Sequence, residues 1–272
     1  MRSVERTVAI VLILFAVNAW ASSGYAQEVR IGGTGAGLAS MKLLANAYVK
    51  IHPGSAIKIL PSLGSSGGIK AVAAGAIQLA VSSRELTDAE RKQGLAAVEF
   101  GRTPFVFAVS TDNKVDDITL QQLADIYSGK TMQWPDGSRI RLVLRPASDA
   151  DSTMARSMSP EMAHAMRLAE ERPGMLYAVT DQDAQKSIEE IPGAFGVTSL
   201  AQIMAEQRQL KALALNGVRP TPQNLANGSY PYVRVMFLVT SPKTTVAAQR
   251  FAEFVQSPEG REILGRTGYW MR

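Results

Sequence analysis

The spacing of apolar and polar positions changes repeatedly along the chain, and those changes predict short strands alternating with helices. Residues 29–32, 56–60 and 78–81 are brief apolar runs of strand length. Between them, residues 38–51 and 69–74 carry apolar side chains at the three-to-four spacing of amphipathic helices. This β–α–β–α–β order is the pattern of a parallel sheet. The run Phe105-Val-Phe-Ala-Val-Ser110 is apolar on both faces, and a new set of elements follows it. In that set, residues 119–127 read as a helix with Thr119 as N-cap, Gln122 completing a capping box and Gly129 after its end. A strand at 140–144, a Met-rich helix from 153 to 169, a helix at 183–190 capped by Thr180 or Asp181, and a strand at 194–197 continue the α/β pattern. A second long strand, 232–240, precedes a helix at 246–256 and a short one after Ser257-Pro-Glu-Gly260.

The two long apolar strands, about 120 residues apart, predict the connections of a discontinuous two-lobed α/β protein with a ligand cleft between its lobes. On this reading residues 27–107 and 234–272 form one lobe and residues 108–233 the other. No repeat of fixed period and no low-complexity segment interrupts the pattern.

Residues 1–26 stand apart. Arg2 and Arg6 precede ten apolar residues, 8–17, and then small residues ending Gly24-Tyr-Ala26, which fits a secretory signal cleaved before Gln27. The apolar run is short for a bilayer span, and no later segment reaches that length. Cleavage would leave 246 of the 272 residues and, with Arg2, Arg6 and Glu5 removed, turn a net charge of +5 into +4. The chain has no cysteine, so neither a lipid anchor on Cys nor a disulfide enters the picture, and a free periplasmic monomer is expected. Basic residues are dispersed without a run of like charge, which argues against a nucleic-acid partner. A mildly basic solvated surface and the steering of a small anion both fit this charge.

Two glycine- and hydroxyl-rich loops open directly into helical patterns: Gly32-Gly-Thr-Gly-Ala-Gly37 and Leu60-Pro-Ser-Leu-Gly-Ser-Ser-Gly-Gly-Ile-Lys70. Free backbone N–H groups at a helix start make an anion site, and two such loops suggest one ligand held between helix ends. A tight turn with no ligand is the plainer reading of the first. Its glycines do not spell G-x-G-x-x-G, and the chain contains no G-x-x-x-x-G-K-[ST]. Ser82-Ser-Arg84 and Arg145 each follow a strand, where open α/β sheets place ligand groups. Arg84 either pairs with an anion or with Glu85 or Asp88 in solvent. An Arg beside hydroxyls suits a tetrahedral oxyanion, because its fork supplies paired, charge-assisted hydrogen bonds.

Gly64-Ser-Ser-Gly-Gly68 formally matches the nucleophile elbow, with Ser66 as nucleophile of an exported hydrolase. That reading needs a downstream histidine, and His164, inside Met162-Ala-His-Ala-Met166, reads as a helix-surface or packed residue. His52 is the only other histidine, so a His-rich metal centre cannot be built, and no cofactor is implied. Met154, Met158, Met162 and Met166 recur every four residues as a core face. Trp134 and Trp270 read as lobe packing.

Taken together, several stretches resemble the phosphate-binding solute receptors of phosphate ABC transporters. They are Gly64-Ser-Ser-Gly-Gly-Ile-Lys70, Leu120-Gln-Gln-Leu-Ala-Asp-Ile-Tyr-Ser-Gly-Lys130 followed by Trp134, and Ile191-Pro-Gly-Ala-Phe-Gly196. Leu213-Ala-Leu-Asn-Gly-Val-Arg-Pro-Thr-Pro222, Tyr230-Pro-Tyr232, Ser257-Pro-Glu-Gly260 and Gly268-Tyr269 extend the likeness over nearly all of the mature chain. The resemblance implies two open, mostly parallel sheets flanked by helices and joined by two crossing strands, closing without catalysis over phosphate or a related oxyanion for an inner-membrane ABC permease. A receptor of this fold that presents its ligand to a membrane sensor, or binds an organic phosphate, is the alternative.

Carried over by position, the ligand contacts are the Gly37 and Leu38 amides with Thr34 nearby, Ser65 with the neighbouring Ser66 and Gly67, Arg145, and Ser152 with Thr153. Two departures stand out. Ser83 occupies the place of the family's Asp, whose carboxylate accepts a hydrogen bond from protonated phosphate, and this predicts weak discrimination against sulfate. The family's Arg-x-x-Gly-Ser-Gly-Thr loop reads Arg145-Pro-Ala-Ser-Asp-Ala-Asp-Ser-Thr153, so Ser152 and Thr153 match only across a two-residue insertion. Asp149 and Asp151 in that loop either replace the lost carboxylate or repel the anion.

Overall fold

The computed structural model describes residues 28–271. The signal segment and its cleavage before Gln27 lie outside them. The chain opens with β1 (Val29–Gly33), α1 (Gly35–Ile51), β2 (Ile57–Ile59), α2 (Gly64–Ala74), β3 (Leu79–Ser82), α3 (Asp88–Lys92) and β4 (Ala96–Ser110). The middle holds β5 (Asp117–Ile118), α4 (Leu120–Ser128), β6 (Arg141–Leu144), α5 (Ala150–Ser157), α6 (Pro160–Glu171), β7 (Leu176–Tyr177), α7 (Asp181–Glu190) and β8 (Ala194–Ser199). It ends with α8 (Leu200–Glu206), β9 (Leu210–Ala212), β10 (Ala214–Leu215), α9 (Pro222–Ala226), β11 (Val233–Thr240), α10 (Val246–Gln256) and α11 (Pro258–Arg266).

Hydrogen bonding runs through the order β2-β1-β3-β11-β4-β8-β6-β7, with β9 added to β4 and β5 paired with β10 apart. The outer pairings, β1 with β2 and β3, and β6 with β7 and β8, are parallel. The two long strands in the middle pair antiparallel with each other and with both sides. Strand β4 joins the two halves: Ala96 to Pro104 pairs with β11, and Phe105 to Ser110 pairs with β8 and β9. Sequence pattern alone marks only residues 105–110 as strand. The first half escapes because Glu99 and Arg102, paired at 2.7 Å, break the apolar run on its open face.

The buried side chains explain why Phe105 to Val109 shows no polar alternation. Phe105, Phe107 and Val109 pack with Tyr127, Trp134, Met162, Met166 and Phe195 on one side. Val106 and Ala108 pack with Val143, Ile188 and Ile203 on the other. The first half of the chain repeats this layering. Ile31, Met41, Leu44 and Tyr48 meet Phe251 and Phe254 from the C-terminal segment, and Ile69, Val72 and Ile77 meet Val239. Two further differences from the sequence pattern concern helix starts. The Met-rich stretch is two helices, broken where Ser159 caps α6 and Pro160 takes its first turn. All four methionines still join one core, Met162 and Met166 fully and Met154 and Met158 in part. Helices α1 and α2 begin at Gly35 and Gly64, so both glycine-rich loops are themselves the first turns.

Candidate functional site

Where the two halves face each other lies a cleft of about 660 Å³. Strand ends and helix starts build it, as expected at the carboxyl ends of parallel strands. Of the residues proposed from sequence, Thr34, Ser65, Ser66, Gly67, Ser83, Arg145 and Thr153 line it. Gly37, Leu38 and Ser152 do not. Because α1 starts at Gly35, Gly37 lies within its first turn, its N–H directed at the Thr34 carbonyl at 3.3 Å. A Cβ on Gly37 would meet Val81 and Met236, and Leu38 is likewise part of the core. Ser152 is buried with its hydroxyl donating inward to the Arg145 carbonyl at 3.1 Å, so it fixes the strand end rather than facing the cleft.

Capping separates the cleft helices from the rest. Of the eleven helices among the described residues, nine have an N-cap side chain accepting from their first turn. The N-caps of α1 and α2, Thr34 and Leu63, make no such bond. Neither helix start is capped by its N-cap side chain, although the Ser62 hydroxyl accepts from the Gly64 N–H at 3.4 Å, and each start carries the positive end of a helix dipole. At α2 the hydroxyls form a cluster. Ser65 Oγ accepts from the Ser83 N–H at 3.0 Å and lies 3.2 Å from Ser83 Oγ, while Ser66 Oγ accepts from Arg84 at 3.2 Å.

Opposite this wall is a cluster of buried charge. Arg145, at the end of β6, donates to the Ala178 carbonyl at 2.8 Å and pairs with Asp149 at 2.9 Å. Arg234, the lone charge in β11, pairs with Asp151 and, at 3.4 Å, with Asp181. Arg145, Arg234, Asp151 and Asp181 are each 6 % exposed or less. Burial lowers Arg234 to about 10, which leaves it cationic at neutral pH. Burial pushes the Asp181 carboxyl up against the pull of Arg145, and Asp149 adds to the rise. Two guanidinium groups thus face three carboxylates, and the segment between Arg145 and Thr153 supplies two of the three, Asp149 and Asp151.

Arg84 settles on the second of its two readings, with a different partner. It forms a two-pronged pair with Glu90 at 2.8 and 2.9 Å, and this hydrogen bond holds the Glu90 carboxyl down at about 2 from an ordinary 4.5. A folded-state value below the unfolded one stabilises the protein above the unfolded value and is lost as pH falls toward the folded one. Glu90→Gln should therefore narrow the drop in melting temperature between pH 5 and pH 2. An identical acid profile for wild type and variant would show that the pair is too solvent-screened to matter.

A family model described as PBP superfamily domain matches residues 18–259. The chain belongs to that family. It is 26 % identical over 252 residues to the phosphate-binding protein PstS of Bacillus subtilis, covering 89 % of this chain and 80 % of that one. It superposes with a TM-score of 0.75 on a Clostridium perfringens structure assigned as a phosphate ABC transporter substrate-binding protein with bound phosphate. That match is at 25 % identity, over 90 % of this chain and all of the other. An ABC-type phosphate transport receptor from Vibrio cholerae shares the fold, with a TM-score of 0.63 at 22 % identity over 90 % of this chain and all of the other.

Against that membership, two polar residues of this PBP-family cleft went unnoticed in the sequence. Arg234 interrupts an otherwise apolar strand, and a lone charge in such a run is a legible sign of a buried pair. The sequence offers Asp181 as one of two candidate caps for α7. Thr180 is the cap, and Asp181 turns its carboxylate across the cleft instead. Neither histidine lines the cleft: His52 stacks on Tyr48 and His164 is exposed beside Arg167.

Proposed function

We propose that this protein is an exported solute-binding protein that captures phosphate or a related tetrahedral oxyanion between its lobes and delivers it to an inner-membrane ABC permease. The observation that carries the reading is the cleft itself. The start of α2 without a side-chain cap, the hydroxyls of Ser65, Ser66 and Ser83, and buried Arg145 converge on one space with Thr153 at its edge, a set of hydrogen-bond donors suited to an anion. The named relatives support phosphate as the first ligand to test, and the expected signal segment supports export. The ligand contacts assigned to the cleft residues, the lobe boundaries at 107/108 and 233/234, cleavage before Gln27 and a monomeric state belong to the same proposal.

Binding without turnover is part of it. Ser66 is hydrogen-bonded to Arg84, and no histidine reaches it to act as a base, so wild type and Ser66→Ala should show equal, negligible ester hydrolysis. Calorimetric titration of ligand-stripped mature protein with phosphate, arsenate, sulfate and molybdate tests the capture. Tight phosphate and arsenate binding is expected. Ser83 in place of the family's Asp predicts that sulfate competes, and sulfate binding much weaker than phosphate would mean that the Asp149 carboxylate on the cleft wall, which only accepts hydrogen bonds, supplies the discrimination. Equal sulfate binding would assign the lost discrimination to Ser83, and absence of binding to all four would overturn the reading.

A further inference from the structure

The start of α7 is seated on the start of α1, although the two lie 147 residues apart in sequence. Gln182 Nε2 donates to the Gly35 carbonyl at 3.1 Å. Asp181 receives a hydrogen bond from the Thr34 hydroxyl at 3.4 Å and faces the Ala36 N–H, in the first turn of a helix that has no cap of its own. Arg234 Nη1 stands 3.4 Å and Arg145 Nη2 3.9 Å from the same carboxylate. A hydroxyl, a helix-start amide and two guanidinium groups make a donor set suited to an oxyanion, and here a side chain of the protein occupies it. The contact also crosses the cleft. Thr34 and Ala36 stand after β1, and Asp181 stands beyond β7 at the far end of the sheet.

We propose that Asp181 is a built-in stand-in for the anion: it occupies the α1 seat in the unliganded protein, ties the two lobes together there, and must be displaced by an incoming oxyanion. This rests on the oxyanion reading above. The seat cannot hold the Asp181 carboxyl and an oxyanion at once, since both need the Thr34 hydroxyl and the same guanidinium groups, and any negative charge on Asp181 adds repulsion. Arg145 and Arg234 are the cations at this seat, and Asp149 and Asp151 already engage both of them, so they are shared before any further anion arrives. Asp181 thereby lowers the protein's affinity for its own ligand and supplies the restoring contact that closes the empty cleft.

Two measurements test this. Asp181→Asn keeps the shape and the accepting oxygen but removes the charge, and it should bind phosphate about tenfold more tightly or better, one pKa unit's worth of interaction. Because the chain has no cysteine, Lys42→Cys and Gln121→Cys, both at exposed positions on α1 and α4, can carry spin labels that report lobe separation. Asp181→Ala should lengthen that distance in anion-free protein. Should the buried charges prevent Asp181→Ala from folding, Gly35→Ala serves instead, because its new Cβ would run into the Gln182 side-chain oxygen and lie 2.9 Å from Asp181 Oδ2 and 3.0 Å from Asp181 Cβ, crowding the seam between the two helix starts with every charge intact.

Tighter binding by Asp181→Asn together with a longer distance in either variant supports the stand-in. Unchanged or weaker phosphate binding by Asp181→Asn overturns it and makes Asp181 a plain acceptor for the ligand. If neither wild type nor Asp181→Asn binds any oxyanion, the functional reading has failed. The distances then decide the remaining claim, an unchanged separation removing the tie as well.

Discussion

Arg234→Met should destabilise the protein by about 3–5 kcal/mol, the cost of leaving a buried partner charge uncompensated. Arg234 is 5 % exposed, pairs with Asp151 and Asp181, and lies with its guanidinium 6.0 Å from the centre of the Phe105 ring. Without it, Arg145 alone faces Asp149, Asp151 and Asp181. The side-chain volume is nearly kept by Met, so the loss reports charge rather than a cavity. For a chain of this size such a loss lowers the melting temperature by very roughly 10 °C, at about 2–4 °C per kcal/mol. Removing the partner as well restores balance, and Arg234→Met/Asp151→Leu should recover a large part of the loss. Denaturant unfolding of the three proteins measures this. A single variant within 1 kcal/mol of wild type would mean that Asp151 and Asp181 hold protons in the native state and need no cation.

That cluster also shows where the sequence stops being informative. The apolar patterns locate seven of the eleven strands among the described residues, because a strand packed on both faces, like Phe105 to Val109, leaves no polar position to confuse the period, whereas β5, β7, β9 and β10, two or three residues long, are too short to show one. They locate the α4 start as well, where Thr119 and Gln122 form a local capping box. The Met154 to Met166 stretch fails for the opposite reason. A four-residue methionine spacing continues across Ser159-Pro160, so the hydrophobic period hides a cap and a proline that mark a helix start. Arg145 and the serines of α2 are legible because each sits at a strand end or helix start, a position with its own chemistry. The Asp181 carboxylate is not, since its partners Thr34, Ala36 and Arg234 come from far along the chain and only the folded topology brings them together. Gly37 and Leu38 fall inside the first turn of α1 rather than in a loop before it, so a side chain at either position faces the core and not the cleft.

Arg145→Ala should weaken phosphate binding by about 1.5–3 kcal/mol, the scale of a hydrogen bond to a charged group, or roughly 10- to 150-fold in Kd. Arg145 lines the cleft while its side chain is only 3 % exposed, so it meets a bound anion in a dry setting where a charge-assisted bond keeps its strength. Its Nη1 is held by the Ala178 carbonyl, and its Nη2 by Asp149, which fixes the plane of the guanidinium before any ligand arrives. Its Nε has no hydrogen-bond partner among the described residues, the Asp151 carboxylate standing 3.9 Å away, so one buried donor remains unused. Arg145→Lys keeps the charge but loses the fork, and it should fall between wild type and Arg145→Ala. Calorimetry on variants whose melting shows them folded separates binding from stability, because the loss of Arg145 also strips Asp149 of its partner. Unchanged affinity in a folded Arg145→Ala would remove this residue from the site and leave the α2 start and its serine hydroxyls to hold the anion alone.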